Sequence, residues 1–338
     1  MVLIQNASKI NLFILSVLFL SSCQLKTVRT GTIKPQPPLT TTPAPSTNPM
    51  PVESRDYVLT EEPNKETQNQ TQPQVYEPQP TAAPSKLPRV GIILGPGGAK
   101  TYAHIGVLQE FQKAKIPVTA ISGLEFAAPM AALFAWKGFV NDVEWQMSKI
   151  KDDEIIKKGL ITSSGKPANI TDVRDFIKTV FHKLKVEDLK KPFGCPALNL
   201  SKNQIYMMSR GSLDQLLPYC WPYPPLFKAY KNNVSGLRDL KITSDFLRSQ
   251  GAQYIILINV LGGNMQKHPV IAGDSLENLV WTEVATSYAR PQAGVDAMIS
   301  LNLEDYGIMD LAQKREIMQK GADLSAKQIE ILSQRLGY

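Results

Sequence analysis

Apolar and polar positions along the 338-residue chain fall into three regimes. Residues 10–20 are almost wholly apolar. Residues 24–88 carry apolar side chains too sparsely to close a core. From about Arg89 to Tyr338, short apolar runs alternate with amphipathic segments. Within that last regime, Val90–Leu94, residues 118–122 and residues 255–260 are short, apolar and bounded by turns, which predicts central strands of a mainly parallel sheet. Ala103, Val107, Phe111 and Ala114 recur at helical spacing, with Leu108 beside them, until Pro117 ends the helix. Residues 127–136 read as a small-residue helix, and residues 140–157 and 171–185 as surface helices. Residues 198–208 read as a strand or hairpin, 219–230 as an aromatic, proline-dense loop, 246–250 as the end of a short helix and 310–336 as helical. Strand, glycine loop, helix, strand, turn and helix make a right-handed crossover unit. The expected architecture is one three-layer α/β/α domain over residues 89–338.

The chain start changes the picture of where this domain works. Lys9 precedes an apolar run too short to span a bilayer but of signal-peptide length. It ends in Leu20-Ser21-Ser22-Cys23, which resembles the lipobox of bacterial lipoproteins. That resemblance implies a signal peptide over residues 1–22, cleavage before Cys23 and acylation of Cys23, so that the membrane is a partner. Gln24, in place of Asp, implies sorting to the outer membrane, with the domain in the periplasm or at the cell surface. Residues 23–88 are rich in Pro, Thr and Gln and are expected to be a disordered tether. At ~3 Å per residue, such a chain reaches on the order of 200 Å.

The formal charge of +7 lies mostly on the domain. On a lipid anchor outside the cytoplasm, a basic surface suits an anionic membrane or a cell-wall partner better than nucleic acid. Besides Cys23, the chain has Cys195 and Cys220, which could pair in an oxidising compartment. Three histidines without ligand spacing give no support for a metal, and no cofactor is expected.

The loop Gly95-Pro96-Gly97-Gly98, between a strand and a helix, has the form of an anion site. A Walker A register puts Leu94 and Ala99 where its glycines belong, and a dinucleotide fingerprint puts Lys100 at its third glycine, so both fail. The stretch "GIILGPGGAKTYAHIGVL" instead resembles the oxyanion loop and following helix of patatin-like phospholipases. "ISGLEFAAPMAALFA" occupies the place of that family's nucleophile turn, and "NNVSGLRDLKITSDFLRSQGAQYIILINV" that of its aspartate stretch. The resemblance runs from Arg89 to about Ala322 and implies a patatin-like fold and a lipid acyl hydrolase ancestry.

Carried over residue by residue, the family's nucleophilic serine falls on Glu125, and the glycine two places later on Ala127. Its aspartate falls on Ser235, and the first and last glycines of its oxyanion loop on Pro96 and Thr101. Gly97, Gly98 and Lys100 are retained as a remnant of that loop. A buried carboxylate is a poor substitute for an activated serine, Ser235 is no base, and Pro96 brings no N–H. Phe126 further takes the place of a small residue where substrate would lie. The expectation is therefore a pseudoenzyme that binds a ligand or serves as a scaffold, with a lipid or acyl ligand near Glu125. The alternative is an active hydrolase with Glu125 as base and Ser235 as nucleophile, or with a serine not recognised. Ser122, Ser163 and Ser164 are read as structural or loop residues and His104 as a packed histidine. Lys100 is read as structural or solvated.

Overall fold

The computed structural model describes residues 87–150, 169–224, 227–262, 275–308 and 310–338. The signal segment, Cys23, the tether as far as residue 86, and Ser163 and Ser164 lie outside the described residues. In chain order the elements are β1 (Val90–Leu94), α1 (Ala103–Lys113), β2 (Val118–Gly123), α2 (Ala127–Lys137), α3 (Val140–Ser148), α4 (Thr171–Phe181), β3 (Phe193–Asn199) and β4 (Gln204–Met208). They continue with α5 (Leu213–Cys220), β5 (Asn233–Ser235), α6 (Lys241–Ser249), β6 (Tyr254–Asn259), α7 (Ser275–Tyr288), β7 (Ala297–Ser300) and α8 (Lys314–Leu336).

The strands form a sheet in the order β4-β3-β2-β1-β6-β7, with β5 added to β3. β1 lies parallel to both β2 and β6, and the parallel set continues to β3 and β7. Among the described strands only β4 and β5 run antiparallel, both against β3. Every residue of β1 is buried, as a strand covered on both faces by helices must be. α6 packs across β1, β2, β3, β4 and β6, and α2 packs on β2, β3 and β1.

α1 crosses α8 at van der Waals distance because both helices carry glycine there. A Cβ on Gly106 would lie 2.1 Å from the Met318 carbonyl oxygen, and one on Gly321 would lie 2.2 Å from that of Ala103. The long C-terminal helix thus clamps the helix that follows the glycine loop.

Several boundaries differ from the expectation. α3 ends at Ser148, and residues 151–168 lie outside the described residues. α4 ends at Phe181, and soon after it Lys183 takes a left-handed φ of 54°. The segment 219–230 is not all loop, since Tyr219 and Cys220 complete α5. Leu87 and Pro88 belong with the folded chain: both are half-buried, and the Tyr338 hydroxyl donates to the Pro88 carbonyl at 2.5 Å. Cys195 on β3 and Cys220 at the end of α5 form a disulfide, with a Cα–Cα distance of 5.9 Å.

Candidate functional site

The glycine loop leaves the end of β1 and becomes a 3-10 turn, Gly98–Tyr102, that runs into α1. Three contacts hold it from behind. Gly95 N–H donates to the Ile258 carbonyl at 2.9 Å, and Ala99 N–H to the Ile308 carbonyl at 2.6 Å. The His104 imidazole lies 2.8 Å from the Gly95 carbonyl through Nε2, which must therefore carry the proton. Gly98 has φ of 53°, and a Cβ there would come within 2.4 Å of the Ile308 side chain, so only glycine fits.

The second strand supplies the facing group. β2 ends at Gly123, and Leu124 N–H donates to the Leu94 carbonyl at 3.0 Å, tying the turn to β1. Glu125 sits at the apex with φ of 53°, a left-handed conformation strained for a side chain of this size, and α2 begins two residues later. This is the geometry of a nucleophile elbow with a carboxylate on it.

Glu125 is fully buried, and its carboxylate turns back into the glycine loop. Oε2 accepts N–H bonds from Gly98 at 3.0 Å and Gly97 at 3.3 Å. In the lipid hydrolase geometry such amides would face a developing oxyanion. Here the chain's own carboxylate occupies them. Oε1 has no hydrogen-bond partner among the described residues. Burial pushes the Glu125 carboxyl up to about 7, against the backbone groups of Phe126, Gly98 and Gly97, which favour the charged form.

Ser235 comes to the same point from β5, where it is paired with Ala197 of β3. Its N–H donates to the Pro222 carbonyl at 2.6 Å. Ser235 Oγ accepts the backbone N–H of Glu125 at 3.0 Å. The two positions singled out in the sequence are thus adjacent, but the contact runs from serine oxygen to the backbone of Glu125. Glu125 Oε2 points at the loop, and among the described residues neither carboxylate oxygen bonds the Ser235 hydroxyl.

The space in front of this pair is filled. Phe126 is buried, edge-on to Trp221 at 5.3 Å and tilted against Phe227 at 5.6 Å between ring centroids. Trp221 directly follows Cys220, so the disulfide to Cys195 fixes the aromatic wall to β3, the strand against which Ser235 of β5 is paired. Tyr223 lies two residues beyond Trp221. Its hydroxyl is raised by burial, lowered by Arg238 and raised again by Glu125.

Of the two roles expected for Lys100, structural or solvated, the solvated one does not hold. Lys100 is buried, and desolvation lowers its ammonium to about 8, partly offset by Asp310 and Glu304. Those carboxylates lie some 200 residues away in the chain, which is why sequence spacing gave no sign of them. His104 is buried, and desolvation lowers it to about 4, so it is a neutral strut under the loop. Ser122 is buried on β2 and its Oγ has no partner among the described residues. Among the described residues no cluster of His, Cys, Asp and Glu could hold a metal. The aromatic wall comes from the segment 219–230, whose rings are expected from the sequence to pack as core beside this site. The signal for it was the density of rings in residues 219–230 beside two possible half-cystines.

The family model described as "Patatin-like phospholipase" matches residues 92–281, more than half of the chain. Among curated proteins, the chain is similar to lysophospholipase NTE1 of Phaeosphaeria nodorum, 23% identical over 274 residues, covering 69% of this chain and 18% of that protein. It is similar to lysophospholipase nte1 of Aspergillus fumigatus, 26% identical over 202 residues, covering 55% of this chain and 13% of that protein. It also resembles an uncharacterised NTE family protein of Mycobacterium bovis, 26% identical over 137 residues, covering 38% of this chain and 36% of that one. The chain therefore spans only a minor part of the length of these relatives. A solved structure of VipD from Legionella pneumophila superposes with a TM-score of 0.38 at 11% identity, over 72% of this chain and 67% of that one.

Proposed function

The chain belongs to the patatin-like phospholipase family, and on that premise we propose that its domain is a catalytically silent member, a binding or scaffold module held in the cell envelope by a lipid on Cys23. The observation that carries this reading is the Glu125 carboxylate on the Gly97 and Gly98 amides. An elbow that directs its own negative charge into the oxyanion position cannot offer that position to a substrate. A carboxylate here is also a poor nucleophile, and Ser235 cannot serve as the base that a serine nucleophile would need. Phe126, Trp221 and Phe227 take the space beside it. Removing one oxyanion donor alone costs about 3 kcal/mol of transition-state stabilisation, and here nucleophile, base and hole are all changed.

The alternative is hydrolysis with Glu125 as base and Ser235 as nucleophile. A carboxyl near 7 favours it, because general bases work best near ambient pH. The direction of the Glu125 carboxylate, toward the loop, supports the silent reading instead. One experiment separates them. The purified protein is treated with a serine-directed fluorophosphonate and assayed on lysophospholipid and short-chain esters. The expected outcome is no label at residues 122–128 or Ser235, and turnover at the no-enzyme background. Turnover that Glu125→Gln and Ser235→Ala each abolish would establish the alternative. Turnover that survives both would place the chemistry at another site.

A further inference from the structure

Among the described strands, β4 closes the sheet at the end away from β7. Its pairing with β3 shows which backbone groups face outward. Cys195 lies opposite Met208, Pro196 opposite Met207 and Ala197 opposite Tyr206, in an antiparallel register without a bulge. Pro196 has no N–H, and its carbonyl accepts the Gly236 N–H at 2.9 Å on the other side of β3, toward β5. Pro196 and Met207 are therefore a non-hydrogen-bonded pair, and by alternation so are Leu198 and Ile205. The N–H and C=O groups of Ile205 and Met207 point away from β3, and no hydrogen bond among the described residues reaches them.

An edge of this kind is ordinarily blunted by a charge, a proline or a bulge. β4 has none of these: it reads Gln-Ile-Tyr-Met-Met, and Ile205 to Met208 are half-buried. Charge stands just beyond its two ends, on exposed Lys202 and Arg210. The face of β4 that carries Tyr206 and Met208 borders a cavity of about 410 Å³. Arg174, Arg210 and Lys231 line it against one acid, Asp214, which already accepts the Ser212 hydroxyl. Arg174 and Arg210 have no hydrogen bond or ion pair among the described residues. The nearby Glu187 carboxylate accepts the Gly211 N–H, at 3.0 and 3.1 Å to its two oxygens. A second copy of this chain does not suit the edge. Two-fold pairing through Ile205 and Met207 would set Lys202 of one copy opposite Arg210 of the other, like charge on like.

From this we propose that β4 is a docking edge for an extended acidic segment of another protein, which adds a strand to the sheet through Ile205 and Met207 and places carboxylates on Lys202, on Arg210 and in the cavity beside Arg174. The backbone bonds hold the strand, and the cations select it. β3 stands between this edge and β2, which leads into the Glu125 turn. The proposal goes beyond the silent-module reading and does not depend on it: ester turnover would end that reading and leave this site untouched.

The test uses the full chain and a fluorescent peptide, Glu-Glu-Val-Thr-Val-Thr-Val-Glu-Glu, with binding read by anisotropy and amide exchange followed at single-residue resolution. At saturation the amides of Ile205 and Met207 should exchange at least about tenfold more slowly, while that of Tyr206, already paired with Ala197, should change little. The same peptide N-methylated at its central residues cannot donate along either edge and should bind at least about tenfold more weakly. A peptide with lysines in place of the glutamates should be weaker by a similar factor of about ten, and added salt should narrow that gap. Met207→Pro removes an outward donor without removing a bond to β3, and should weaken binding about three- to tenfold. Lys202→Glu combined with Arg210→Glu, both at exposed positions, serves if the proline variant does not fold. That double variant should reverse the preference, binding the lysine peptide more tightly than the glutamate one. No binding at about 1 mM peptide, or protection elsewhere than β4, would overturn the site. An unchanged preference in the double variant would overturn the acidic partner. Slowing of the Ile205 and Met207 amides with protein concentration, without peptide, would assign the edge to a second copy and overturn the proposal.

Discussion

Glu125 is the residue on which the site turns, and its environment makes a measurable demand. The unfolded carboxyl titrates near 4.5 and the folded one near 7, because burial disfavours the charge more than the Phe126, Gly98 and Gly97 backbone groups favour it. Below the unfolded value both states hold the proton and the group contributes nothing. Between the two values the unfolded state loses its proton first, so stability falls as pH rises, by about 3 kcal/mol in all, and then levels off. Glu125→Gln keeps an oxygen for the loop amides without a titrating group. Urea unfolding at pH 4.5, 6 and 8 should show the variant gaining on the unmodified protein across that window, by about 1–3 kcal/mol at pH 8. Parallel pH profiles would mean that Glu125 is not held in the folded state as described. The substitution of serine by Glu125 was legible from alignment of the turn with the family's pattern. The destination of its carboxylate was not, because the Gly97 and Gly98 amides are aimed by a 3-10 turn that Ile308, far along the chain, holds in place.

At the scale of elements, legibility followed burial. β1, β2 and β6 announce themselves because strands covered on both faces must be apolar throughout. β7 did not, being four residues long with partly exposed side chains. α7 carries a signal in the sequence, since Trp281, Val284, Ala285 and Tyr288 are buried at helical spacing. β5 is three residues long and owes its place to pairing with β3 rather than to any pattern of its own. The disulfide joins these non-local parts. Cys195 and Cys220 enclose a loop with a sequence separation of 25, and closing it lowers the entropy of the unfolded chain by the equivalent of about 3 kcal/mol. Replacing both cysteines with alanine should cost about that much in chemical denaturation under oxidising conditions. It should also loosen the buried Trp221 from its contact with Phe126, seen as a red shift of tryptophan emission in the native state. An unchanged denaturation midpoint and emission maximum would show that the aromatic wall is held without the bridge.

At the scale of the whole molecule, the two ends of the described chain meet in one place. Leu87 and Pro88 lead into β1, and Tyr338, the last residue, holds the Pro88 carbonyl through its hydroxyl. The tether proposed for residues 23–88 would join the fold there, next to the start of the central strand and the end of α8, the helix that clamps the glycine loop through Gly106 and Gly321. Placing the domain by a lipid on Cys23 serves a module without turnover in a specific way. Such a module would act only by where it is and what it holds, and the proposed tether, with a reach on the order of 200 Å, would keep it near one surface while leaving it free to search. Loss of the lipid should therefore remove its effect without altering its fold. In cell fractionation, the unmodified chain should sediment with membranes and resist extraction by salt and carbonate. Cys23→Ala should appear in the soluble fraction or accumulate as a longer, unprocessed species, because acylation and cleavage both require that thiol. The basic charge of the domain sets the control: a purely electrostatic association would be released by salt in both proteins alike, whereas an inserted lipid anchor would not. Membrane association of Cys23→Ala equal to that of the parent, with normal processing, would rule out the lipid anchor and leave the basic surface as the means of attachment.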